Sequence, residues 1–254
     1  MPTSFRALAW FVIGFVPAAE ASSSPTISIV WQRSGNQGEQ VLKSFGAGEL
    51  KVIKTGRLRE KGPGSDRIVE WKGPLLGSLL DEAMKEMTVE ARSQIDLIVL
   101  KGARGEQAWI PRAFLTRYPM LLAQPGFDSV VPVNSRPKVQ GEELPHDTYW
   151  IRGVQRVELT NYREQFGRFY LKRRTDPAAV RGEKVFVQNC LGCHGAGVSA
   201  AGWSGWESAA LAERLKKHPR KPGFQEMPVR SERALTSYWS AYRSEQAESA
   251  AEKR

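Results

Sequence analysis

The chain has 254 residues, of which 41% are hydrophobic and 25% charged, so it is long and apolar enough for one or two buried cores and is not a disordered polyelectrolyte. Its net charge of +10 and pI of about 9.7 favour acidic protein partners or anionic surfaces. Nucleic acid is not expected as a partner, since the sequence shows no nucleic-acid motif and export argues against one, and two cysteines are too few for a disulfide framework.

Residues 1–21 read as an export signal. Arg6 supplies the positive start, Ala7 to Val16 the apolar stretch, and Ala19-Glu20-Ala21 the small-residue cleavage site. The apolar stretch is too short to span a bilayer. The mature chain is expected to begin at Ser22, to carry no transmembrane segment and to reside in the periplasm.

Residues 22–172 read as a mixed α/β domain. Strands are expected at Ile27 to Trp31, Glu49 to Lys54, Asp66 to Trp71, Ile95 to Leu100, Val130 to Val133 and Tyr149 to Leu159, from β-branching and alternation. Lys61 to Ser65 reads as a turn. The leucines of Gly73 to Met84 fall at helical spacing. Trp109-Ile110-Pro111 reads as a strand end opening a helix. His146 reads as a surface or turn residue. Arg168, Lys172, Arg173 and Arg174 form a basic run at the junction, either a solvated linker or a patch steering an acidic redox partner.

Residues 173–243 carry the chemistry. Cys190-Leu191-Gly192-Cys193-His194 is a C-x-x-C-H segment, the pattern of covalent c-type haem attachment. Two thiols at this spacing can each add to one haem vinyl group, and the adjoining imidazole can ligate the iron. The competing readings are a redox dithiol, which wants a βαβ setting, and half a zinc site, which wants four ligands. Upstream, Asp176-Pro177 is a helix-start signal, and Gly182 and Phe186 share one helix face. Downstream, Leu235, Tyr238, Trp239 and Tyr242 form the apolar face of a helix over residues 231–242. The tail at residues 244–254 is polar and is expected to fray.

These residues together resemble the cytochrome c family, whose N- and C-terminal helices cross at such a glycine/aromatic pair. The resemblance implies a small all-α domain with one haem c, Cys190 and Cys193 as its covalent anchors and His194 as proximal ligand. It implies Met227 before Pro228 as distal ligand, with His218 as the alternative. The segment between His194 and Met227 is short for the family, which implies a more exposed haem. Trp203 and Trp206 lie where a small loop would cover it.

Residues 27–160 resemble, more distantly, the molybdopterin-binding domain of the sulfite oxidase family. The likeness rests on Trp71-Lys72-Gly73-Pro74-Leu75-Leu76-Gly77-Ser78-Leu79-Leu80, on Ile110-Pro111 and on the segment from Tyr149 to Leu159. Catalytic members hold molybdenum through a cysteine thiolate, and no cysteine precedes Cys190. Molybdopterin is therefore not expected, and the domain reads as a docking or binding module.

The fold class expected is α+β, a mixed α/β domain followed by a separate small all-α domain. The function expected is an exported electron carrier rather than a catalyst. Its alternatives are an electron-transfer subunit of a periplasmic oxidoreductase and a haem-based ligand sensor.

Overall fold

The computed structural model describes residues 26–33, 38–141, 144–194, 213 and 229–252. Residues 1–21, read above as an export signal, and Trp203, Trp206, His218 and Met227 lie outside the described residues. The frame is a five-stranded mixed sheet built from β1 (Ile27–Gln32), β2 (Glu39–Phe45), β5 (Leu97–Gly102), β6 (Gln107–Pro111) and β9 (Val154–Thr160). Its strand order is β2-β1-β9-β5-β6, with β1 and β9 parallel and the other neighbours antiparallel. Two small hairpin sheets flank it: β3 (Thr55–Lys61) with β4 (Ile68–Pro74), and β7 (Leu121–Ala123) with β8 (Asp128–Val130).

The pleat sends alternate residues to opposite faces. On one face Ile27, Ile29, Ile98, Leu100, Ile110, Val157 and Leu159 are buried. They pack under α2 (Leu76–Ala83) and α4 (Arg112–Arg117), through Leu76, Leu79, Leu80 and Phe114. Three short helices complete the N-terminal part: α1 (Ala47–Leu50), α3 (Val89–Ser93) and α5 (Tyr162–Phe166). Thr88 and Asn161 cap the last two with their side-chain oxygens.

The opposite face of β5 overturns the expectation of a separate all-α C-terminal domain. Leu97 and Val99 point there, both buried, and they share one core with Tyr162, Phe166, Phe169, Phe186, Leu191, Leu235, Tyr238 and Trp239. The helices α6 (Pro177–Val185), α7 (Leu191–His194) and α8 (Val229–Ala251) thus form a layer on the sheet. The physical cause lies in β5 itself. Leu97-Ile98-Val99-Leu100 is apolar on both faces, so it needs cover on both.

The connection between the two parts is packed. Glu183 is buried; its Oε2 accepts from the Leu171 backbone N–H at 2.7 Å, and its Oε1 pairs with Arg174 at 2.8 Å. Glu245, also buried, accepts from the N–H groups of Lys172 at 2.8 Å and Arg173 at 2.7 Å. The Tyr238 hydroxyl donates to the Phe169 carbonyl at 2.6 Å, and the Tyr242 hydroxyl to that of Arg168 at 3.1 Å. Burial pushes the Tyr238 phenol well up, which keeps it a donor.

Several local expectations are corrected as well. Glu49 to Lys54 is not a strand: α1 and a turn occupy it, with Leu50 and Ile53 buried and Val52 exposed. The Glu49 carboxylate accepts from the Gly46 N–H at 2.6 Å, a helix-start contact that an alternation pattern does not register. The strand at Val130 to Val133 ends at Val130, and Tyr149 lies in a 3-10 turn ahead of β9. The tail after Tyr242 does not fray at once, because α8 continues to Ala251 and Glu245 anchors it to the connection.

Candidate haem-attachment site

The helix that leads to the C-x-x-C-H segment starts where the sequence expects it. Asp176 Oδ1 accepts from the Ala178 N–H at 2.8 Å, and Pro177 takes the first helical position. One turn later the helix crosses α8 at Gly182. A Cβ on Gly182 would lie 1.9 Å from the Ala234 carbonyl oxygen and 2.7 Å from Tyr238 Cβ, so only glycine permits this approach. Phe186 then stacks on Tyr238 with ring centroids 5.4 Å apart and meets Trp239 edge-on at 5.0 Å.

After α6 the chain makes one π-helical turn, Phe186–Cys190, before α7. Such a turn carries an extra residue and rotates the next turn around the helix axis; it is a frequent feature of functional sites. Residues 190, 193 and 194 then stand at i, i+3 and i+4, one side of a helical turn. The two intervening residues are both buried. Leu191 is fully buried in the core with Leu97 and Val99. Gly192 is buried where a Cβ would lie 3.0 Å from the Pro145 ring. Cys190 is half-buried against the same core, and His194 is exposed.

This arrangement fits a covalently attached haem. Cys190 packs half-buried against the core that holds Phe186, Leu235 and Trp239, so a group joined to it would have apolar, aromatic neighbours on one side. Among the described residues, no group of three or more His, Cys, Asp or Glu is gathered as a metal cage.

The remaining candidates fall elsewhere. His146 is buried, and its Nδ1 lies 3.1 Å from the Leu144 carbonyl in the turn beside Pro145, so it is a packing residue rather than a surface one. The basic run at the junction is largely engaged. Arg173 pairs with Glu248 at 2.7 Å, Arg174 with Glu183, Lys172 Nζ donates to Ser249 at 2.7 Å, and Arg168 lies over the Phe169 ring. Sequence reasoning missed the part that Leu191 and Gly192 play in seating the motif. The signal was available, in an apolar residue and the smallest residue at the two positions that the haem chemistry leaves unconstrained.

No protein-family model matches the chain, and a search of curated proteins returns no match. Among the described residues, no helix is long and apolar enough to cross a membrane.

Proposed function

We propose that this protein is an exported, periplasmic c-type cytochrome that passes single electrons through one covalently attached haem. The observation that carries the proposal is the position of the C-x-x-C-H turn. Its spacer residues are both buried, Leu191 in the core with Leu97 and Val99 and Gly192 against the Pro145 ring, while Cys190 packs half-buried against the core that holds Phe186, Tyr238 and Trp239, and His194 is exposed. The bound haem would supply the one-electron couple of its iron. The chain's own residues would do the rest: Cys190 and Cys193 fix the group, His194 ligates it, and the aromatic cluster keeps water from one side.

Met227 is the proposed distal ligand, with His218 as the alternative. A thioether there favours the reduced iron and a higher potential, whereas a second imidazole lowers it. The α/β part acts as the bed on which the attachment turn is held. The net charge of +10 suits an acidic redox partner.

The test is maturation of the full chain in a periplasm with haem-attachment machinery. Denaturing mass spectrometry should find the mature chain plus one haem, and reduction should sharpen the visible spectrum reversibly. A chain recovered folded but without covalent haem would overturn the proposal. An electron carrier should also ignore carbon monoxide; rapid binding of the gas would move the reading to a ligand sensor.

A further inference from the structure

A second concave feature lies at the seam between the α/β part and the helical layer, on the flank of the same helix. It is a cavity of about 420 Å³. Four cationic side chains from three elements line it: Arg117 at the end of α4, Arg181 and Lys184 on α6, and Arg230 in α8. Gln188 and Asn189 line it as well, and among the described residues no carboxylate does. The described walls are thus of a single sign.

The α6 spacing explains the convergence. Arg181, Lys184 and Gln188 recur at i, i+3 and i+7, one face of the helix, while Gly182 and Phe186 face α8. Arg181 has Pro177 and Val185 four residues away, and Lys184 has Val180 and Gln188, so neither has an acidic neighbour at that distance on the helix. Glu183, the acid between them, is turned to the opposite side, where Leu171 and Arg174 hold it. Arg181, Lys184 and Arg230 are exposed, and none makes an ion pair with a described residue. Asn189 Oδ1 is buried and accepts no hydrogen bond, so it is available to a donor.

We propose that this cavity binds a small doubly charged oxyanion of the phosphate class. Guanidinium forks and an ammonium group make strong, charge-assisted hydrogen bonds to such an anion. A hydroxyl of a hydrogen phosphate or of a phosphate monoester would satisfy Asn189 Oδ1. The volume, many times the roughly 30 Å³ share of one water, holds a phosphate with its hydration or a small organic phosphate. The bound anion would bridge α4, α6 and α8, and so tie the two parts of the fold together beside the attachment turn. The site does not depend on the haem reading, because none of these residues is a proposed haem ligand.

The experiment is isothermal titration of the full chain with inorganic phosphate at low ionic strength, with chloride at matched ionic strength as control. The expected result is saturable one-to-one binding of phosphate and none of chloride. The Arg181→Gln/Lys184→Gln variant should bind at least tenfold more weakly while unfolding at the same temperature as the parent without phosphate, since both side chains are exposed and unpaired. Arg230→Gln, which changes one side chain only, should weaken binding in the same direction. A small sugar phosphate that binds more tightly than inorganic phosphate would identify an organic ligand, and the reverse order the free anion; both support the site. Phosphate heats equal to those of chloride, or undiminished binding by the double variant, would overturn it.

Discussion

Gly182 lies against Ala234 so closely that the two backbones touch: the position a Cβ would take on Gly182 is 1.9 Å from the Ala234 carbonyl oxygen. Helix propensity alone would make Gly182→Ala stabilising by about 1 kcal/mol. The crossing reverses the sign. Backbone atoms of α8 cannot yield as a flexible side chain does, so α6 must move off Tyr238 and Trp239. The expected result is a loss of about 2–3 kcal/mol, the upper range for overpacking, read by urea unfolding. A neutral or stabilised variant would mean that the helices do not cross there.

The two buried glutamates make a second prediction. Glu183 and Glu245 together accept three backbone N–H groups of the connecting segment. Removing either carboxylate strands those donors where water does not readily replace the bond. Glu183→Ala and Glu245→Ala should each cost about 1–3 kcal/mol. Both should also open residues 171–174 to limited proteolysis, which the parent resists there. If proteolysis at that segment is unchanged, the carboxylates do not hold it.

The range over which each signal acts decided whether the sequence disclosed it. Asp176-Pro177, Gly182 with Phe186, the leucines of α2, and Ile110-Pro111 opening α4 are local patterns, and the structure has each in place. The C-x-x-C-H segment is likewise a local pattern, five consecutive residues. The burial of its spacer residues is not, because Pro145 and Leu97 lie far away in the chain. The separate all-α domain at residues 173–243 was expected from the resemblance of its C-x-x-C-H segment and flanking helices to a cytochrome c domain. The contrary signal lay in β5, where four consecutive apolar residues demanded two covers. Glu49 to Lys54 misled for a related reason: Leu50 and Val52 alternate, but burial falls on Leu50 and Ile53, three apart.

Asp96 gives a pH-dependent prediction. Burial raises its carboxyl above the ordinary aspartate range, although Oδ1 accepts from the Tyr162 N–H at 2.8 Å, which acts the other way. A folded-state value above the unfolded one means that the folded protein takes up the proton first as pH falls. Where both states are ionised, the folded state bears the desolvation cost. Asp96→Asn keeps the acceptor and removes the charge. It should stabilise the protein at pH 7, by no more than about 1 kcal/mol given the partial solvent screening. The gain should fade as pH falls through the folded-state value of Asp96 and be gone below the unfolded one. Thermal unfolding of both proteins from pH 7 to pH 3 reads this, and a gain that grows on acidification would refute it.

The shared core makes the last prediction, and it separates this fold from a pair of tethered domains. Leu97 is fully buried on the helix side of β5, where Leu191, the first spacer residue of the C-x-x-C-H turn, joins the same core. Leu97→Ala should cost about 2–5 kcal/mol, as for other fully buried leucines. Its effect should reach the helices, so hydrogen exchange in α6 and α8 should accelerate along with that in the sheet. A fragment of residues 173–254 would expose the apolar surface that Leu97, Val99, Tyr162 and Phe166 cover. Without that cover it should show no cooperative unfolding transition, although α8 alone is long enough to retain some helix. A fragment that unfolds cooperatively, or a Leu97→Ala chain whose α6 and α8 exchange as slowly as the parent's, would return the C-terminal helices to the status of an independent domain. The result also bears on the C-x-x-C-H turn, since Leu191 can hold it in place only if the sheet is there to receive it.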